Sequence, residues 1–133
     1  MSAEATVGIV LVSHSAALAE GTAEVAGQIG GGSVTIATAG GTEDGGIGTS
    51  IERVRQALLA AGGSAGVVIL PDLGSSVLTV RALLGEEDFA GPVAVADAPF
   101  VEGAVAATVA AAAGGDVKAV LQAAEEARHA RKL

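Results

Sequence analysis

Two rhythms of apolar and polar positions alternate along this chain. Short apolar, β-branched runs at residues 8–12, 34–38, 66–70 and 92–96 predict strands. Longer stretches with helical spacing separate them. Residues 15–29 place Leu18, Thr22, Val25, Ala26 and Ile29 three or four apart, one face of a helix that Gly30-Gly31-Gly32 stops. After a Gly-rich loop at residues 40–48, Thr49 or Ser50 caps a helix running through Leu58 and Ala61. Ser75 or Ser76 caps a third helix through Leu84, and residues 101–113 form a fourth. Asp116 caps a fifth, which reaches a basic tail of Arg128, Arg131 and Lys132 whose charge suits a helix C-terminus.

Strands that alternate with helices imply an α/β fold, a doubly wound and mostly parallel sheet covered on both faces. With 133 residues and no linker or internal repeat, the chain reads as one domain, residues 1–133, with a short N-terminal extension at 1–6. A hydrophobic content of 50% suits a single buried core.

Composition removes several function classes. Aromatic residues are 2% of the chain, with no Tyr or Trp, so no stacking platform for single-stranded nucleic acid exists. A formal charge of −8 argues against a phosphate backbone as partner. The absence of Cys excludes thiolate chemistry and Cys-zinc sites, and two histidines are too few for a His-based metal cluster. The run at residues 7–12 is too short for a signal-peptide core, and the Ala-rich stretch 103–113 falls short of the ~20 residues of a membrane span. A cytoplasmic protein that does not engage membranes is expected.

In open parallel sheets, ligands bind beyond the carboxyl ends of the strands. Four chemistry-bearing segments fall there: Ser13-His14-Ser15, the Gly-rich loop leading to Thr49, Pro71-Asp72-Leu73-Gly74-Ser75-Ser76, and Asp97 to Gly103. His14 stands where the first strand hands over to the first helix. A neutral imidazole is a nucleophile near pH 7, and a helix start favours an anion beside it. His14 thus reads either as a carrier of a phosphoryl group or as a loop histidine that only hydrogen-bonds. Asp72 occupies the matching place after the third strand, either orienting the Nδ1–H of His14 or capping the next helix. Ser13, Ser15, Thr49, Gly74, Ser75 and Ser76 supply hydroxyl and N–H donors for phosphate, or serve as ordinary caps. Glu102 and Asp97 each read either as a member of the strand-end crevice or as an acid with only a local structural role, for Glu102 a first-turn acid favoured by the helix dipole, and His129 in the charged last helix reads as solvated.

The chain has no P-loop, its Gly-rich segment lacks dinucleotide spacing, and it has no G-x-S-x-G elbow. A receiver domain needs an acidic pair after the first strand, where this chain has Ser13-His14.

Val10-Leu11-Val12-Ser13-His14-Ser15 with Ala17-Leu18-Ala19-Glu20-Gly21 resembles the phosphotransferase-system subunits of dihydroxyacetone kinase, the DhaM family, which have the mannose-type EIIA fold. Gly46-Ile47-Gly48-Thr49, Asp72-Leu73-Gly74-Ser75-Ser76 and Ala98-Pro99-Phe100-Val101-Glu102-Gly103 resemble that family's later motifs in the same order, so the likeness covers residues 7–120. The resemblance implies a sheet of order 2-1-3-4, often with an extra edge strand. It implies a phosphohistidine at His14 supported by Asp72, and no cofactor. It implies HPr as donor, ADP bound to the DhaL subunit as acceptor, DhaK in the same pathway, and a homodimer. Domains resembling HPr or enzyme I are fused in some members but have no room here, so HPr is expected as a separate protein. Ser76 stands where that family commonly has Ala, and Pro71 before Asp72 is another departure. Two other functions compete: a mannose-type sugar-permease EIIA domain, and a non-catalytic module that binds an anion reversibly.

Overall fold

The computed structural model describes residues 6–133. The expected extension at residues 1–6 therefore lies outside the described residues, apart from Thr6, which is buried. The described chain runs β1 (Gly8–Ser13), α1 (Ala16–Gly30), β2 (Ile36–Gly40), α2 (Ile51–Ala61), β3 (Val67–Pro71), α3 (Gly74–Glu86), β4 (Val93–Val95), α4 (Phe100–Ala112) and α5 (Val117–Glu126). The sheet has four strands in the order β2-β1-β3-β4, and every pairing is parallel. This is the expected α/β architecture; among the described residues no extra edge strand joins it.

Side chains alternate across a strand, so β1 feeds two cores. Ile9 and Leu11 join Val68, Leu70, Ala104, Ala107, Ala111, Val120 and Ala124 on the side of α1, α4 and α5. Val10 and Val12 join Ile69, Val54, Leu58, Val80 and Leu83 on the side of α2 and α3. Both central strands are buried along their whole length, which explains their lack of polar alternation.

Several expected boundaries shift for identifiable reasons. β2 lies two residues later than the apolar run suggests, because its pairing with β1 sets Ile9 opposite Ile36 and Ser13 opposite Gly40. A Cβ at Gly40 would stand 2.6 Å from the Ala16 Cα and 2.8 Å from the Ser15 carbonyl oxygen, so only glycine lets this strand end reach the start of α1. The expected Ser75 or Ser76 cap of α3 is replaced by Leu73, which makes no side-chain cap bond, since both hydroxyls are engaged elsewhere. For α2 the cap is Ser50, accepting from the Arg53 N–H, rather than Thr49. Asp116 caps α5 as expected, accepting from the Ala119 N–H. That helix ends at Glu126, and the basic residues follow it; Arg128 reaches back to donate to the Glu125 carbonyl at 3.0 Å.

The face of α1 also differs from the spacing argument. Its buried residues are Ala19, Thr22 and Ala26, whereas Leu18, Val25 and Ile29 are exposed. The small residues let α1 lie close against the sheet and α4. At Gly30 an added Cβ would collide with the Thr108 side chain.

Candidate active site

β1 and β3 are neighbours, and the main chain continues their pairing one step further: the Asp72 N–H donates to the Val12 carbonyl at 2.9 Å. Asp72 thereby comes to rest beside Ser13 and His14. Its Oδ2 accepts the Ser13 hydroxyl at 2.9 Å and the His14 main-chain N–H at 3.0 Å. Its Oδ1 lies 3.0 Å from the His14 Nδ1 and accepts the Leu73 N–H and the Ser76 hydroxyl, each at 2.8 Å. Partial burial pushes the Asp72 pKa up. The donors outweigh it (the His14 N–H, the Ser76 hydroxyl, the His14 ring and the Ser13 hydroxyl) and hold the carboxyl at about 2, below its ordinary 3.8.

A carboxylate can only accept, so the His14 proton resides on Nδ1 and the Nε2 lone pair points away from Asp72. Nε2 lies 2.6 Å from the Ser75 hydroxyl, which donates to it. The His14 side chain keeps 20% exposure against 8% for Asp72, so the carboxylate is enclosed while the ring edge stays reachable. α3 begins at Gly74, and the first N–H groups of a helix have no intrahelical acceptor. An anion on Nε2 would meet the Ser75 hydroxyl and that helix start.

The expected donors do not all serve one place. Ser75 reaches Nε2, and Gly74 starts α3 with nothing within 4 Å of where a Cβ would stand. Ser13 is fully buried; its hydroxyl bonds Asp72 and accepts the Ser15 N–H at 3.0 Å. The Ser15 hydroxyl caps α1, accepting from the Leu18 N–H at 3.2 Å. Ser76 is fully buried on the Nδ1 side, and the Thr49 hydroxyl lies 3.4 Å from its oxygen. Ser13, Thr49 and Ser76 thus form a scaffold around the carboxylate rather than a cradle on Nε2. Asp97 accepts from Arg128, Glu102 pairs with Lys132 at 3.2 Å, and His129 lies exposed in the turn after α5; none touches His14. Among the described residues no group of three or more His, Asp or Glu is placed to hold a metal ion.

Two residues that sequence reasoning did not single out individually hold the main chain of His14. The Gly41 N–H donates to the Ser13 carbonyl and the Gly48 N–H to the His14 carbonyl, both at 3.0 Å. Both glycines have positive φ, +74° and +145°. The loop between β2 and α2 is closed on itself by Thr42, whose hydroxyl bonds Asp44 and accepts the Gly46 N–H. The density of glycine at residues 40–48 was the available signal for this role. Ile47 and Leu73, next to these contacts, stand 79% and 61% exposed and give the site an apolar rim.

The histidine and carboxylate at adjoining ends of parallel strands, on a sheet of order 2-1-3-4, match a known class. The family model described as "PTS system fructose IIA component", the mannose-type EIIA domain, matches residues 8–121, and the chain belongs to that family. Within it, the similar relatives are DhaM proteins, described as phosphoryl donor subunits of PEP-dependent dihydroxyacetone kinase. The subunit of Pantoea ananatis is 39% identical over 95% of this chain, and that of Escherichia coli K12 is 37% identical over 95%. The chain spans only 28% of the length of each of these two. A Listeria innocua DhaM, the subunit of kinase 2, is 33% identical over 87% of this chain and is itself covered over 94% of its length. Among solved structures, a protein of unknown function designated EF1359 superposes with a TM-score of 0.78 at 30% identity, covering 91% of this chain and 94% of that one.

Proposed function

We propose that this chain carries a phosphoryl group on the Nε2 of His14, taking it from phospho-HPr and passing it to ADP bound to a DhaL subunit. The regenerated ATP then phosphorylates dihydroxyacetone held by DhaK. The observation that carries this reading is the orientation of His14. A charged carboxylate 3.0 Å from Nδ1 leaves Nε2 as the nucleophile, beside a hydroxyl and a helix start. The names of the DhaM relatives support the dihydroxyacetone pathway.

In the first transfer, the Nε2 lone pair attacks phosphorus and the N–P bond of the donor histidine breaks, its electron pair returning to the donor ring. The Nδ1 proton stays in place, so the phosphorylated ring becomes cationic and Asp72 balances it. In the second transfer, a β-phosphate oxygen of ADP attacks phosphorus and the Nε2–P electron pair returns to His14. No proton moves in either step, so catalysis is positioning and charge stabilisation. The Ser75 hydroxyl turns from Nε2 to a phosphoryl oxygen as the group arrives. Among the described residues no Lys or Arg bonds His14, and Arg81 lines the cavity beside Asp72, Leu73 and Gly74 without reaching the ring, so the protein partners supply the positive charge directly on the transferring group.

The same reading expects a cytoplasmic homodimer. No described helix is long and apolar enough to cross a membrane. The exposed Leu18, Val25 and Ile29 of α1 and Val101 and Val109 of α4, on two helices that pack together, suit self-association.

The test is the intact mass after incubation with phosphoenolpyruvate, enzyme I and HPr, with His14→Ala alongside. One acid-labile phosphoryl group on the native chain alone is expected, and its loss on adding ADP-loaded DhaL. No mass increase would overturn the carrier role. A phosphoryl group that DhaL-ADP does not discharge would redirect it to a sugar permease.

A further inference from the structure

Ser76 is fully buried, and its hydroxyl oxygen stands among three side chains of the site. It donates to the Asp72 Oδ1 at 2.8 Å, lies 3.2 Å from the His14 Nδ1, and faces the Thr49 hydroxyl at 3.4 Å. The carboxylate has five donors in all. Three are main-chain or ring groups whose positions are set by β1, by the α3 start and by His14 itself, and one is the Ser13 hydroxyl on the opposite oxygen. Ser76 is thus the one side-chain hydroxyl on the oxygen that also receives the His14 ring, and it competes with the ring for that oxygen's charge.

We propose that Ser76 is a positioning residue that keeps the His14 phosphoryl group labile, by drawing negative charge from the Asp72 oxygen that faces the phosphorylated ring. The inference rests on the carrier reading above. When the ring is phosphorylated and cationic, its stability depends on how much carboxylate charge Nδ1–H meets. A hydroxyl hydrogen on Oδ1 disperses that charge, leaving the phosphohistidine less stabilised and readier to give its group away. The Ser76 oxygen also offers Nδ1–H a second acceptor, but a neutral one at 3.2 Å. A charge-assisted bond is about twice as strong as a neutral one, so the loss of carboxylate charge decides the sign. Thr49 strengthens the effect from behind: a hydroxyl that donates to Ser76 makes the Ser76 hydrogen a better donor in turn.

The experiment compares the native chain with Ser76→Ala and Thr49→Val, each phosphorylated by HPr, enzyme I and phosphoenolpyruvate and then freed of donor. In Ser76→Ala the phosphohistidine should hydrolyse roughly three- to tenfold more slowly, and discharge to ADP-loaded DhaL should slow by a similar factor. The His14 Nδ1–H proton resonance should move downfield, a signature that a merely structural role would not give. Thr49→Val should shift both in the same direction by less, and it serves as the second variant if Ser76→Ala folds poorly. A native chain that takes the phosphoryl group, with unchanged or shorter lifetimes in both variants, overturns this inference alone. A native chain that takes none overturns the carrier reading, and this inference with it.

Discussion

Asp72 holds His14 at two points, accepting its main-chain N–H on Oδ2 at 3.0 Å while Oδ1 stands 3.0 Å from the ring Nδ1. The first contact places the residue and the second sets the tautomer. Asp72→Asn keeps the shape and an acceptor but removes the charge that, in the proposed carrier function, balances a phosphorylated ring. Phosphoryl acceptance from HPr should fall by roughly 10²- to 10⁴-fold with the fold intact, as measured by quench-flow and circular dichroism. Full activity in this variant would remove Asp72 from the mechanism.

The same carboxyl makes stability pH-dependent. Its folded pKa of about 2 lies below the ordinary 3.8, so its contribution is complete above pH 3.8 and disappears as pH falls through about 2. A depression of this size corresponds to about 2 kcal/mol. Urea denaturation at a series of pH values should show the native chain losing that increment between about pH 4 and 2, while Asp72→Asn stays flatter there. Parallel curves for the two proteins would contradict the assignment.

Gly48 works through the backbone. Its φ of +145° disfavours any side chain, and a Cβ there would stand 2.8 Å from the Thr42 Cγ2. Gly48→Ala should cost about 1–3 kcal/mol in chemical denaturation. Because the Gly48 N–H also holds the His14 carbonyl, phosphorylation should slow as well. Destabilisation without any change in transfer rate would show that the loop supports the fold but not the histidine.

Ile47 and Leu73 bury little of themselves, so replacing them touches the surface alone. Ile47→Asp and Leu73→Gln, the latter a side chain that does not favour the N-cap position Leu73 holds before α3, should leave stability within about 0.5 kcal/mol of the native chain. Each should raise the KM for HPr several-fold while sparing kcat, if the apolar rim receives the partner. Unaltered KM values for both donor and acceptor would place docking elsewhere.

Much of the fold and the site is legible in one sequence because strand burial and strand ends are local signals. Ile9 to Val12 and Val67 to Leu70 announce central parallel strands by having no polar face to show. Once the strand–helix alternation is read, His14 and Asp72 must both fall at carboxyl ends, which is why the pair stands out from the pattern of residues alone. Helix caps are less legible. Ser50, Ser75 and Ser76 are equally good caps by type, and only the demands of Asp72 and His14 on the last two hydroxyls leave Leu73 at the start of α3.

Periodicity along the chain, and the points where a strand gives way to a helix, are enough for the α/β alternation, the parallel sheet and the candidacy of His14 and Asp72. Tertiary structure alone decided what depends on distance between segments far apart in the chain. It turned the small residues of α1 inward and left Leu18, Val25 and Ile29 outside, since close packing on α4 favours small side chains over large ones. It set β2 two residues later, since register follows the partner strand. It separated Ser75 at Nε2 from Ser76 at Nδ1, although they are adjacent in sequence, because successive residues of a helix point about 100° apart and meet different sides of the same ring.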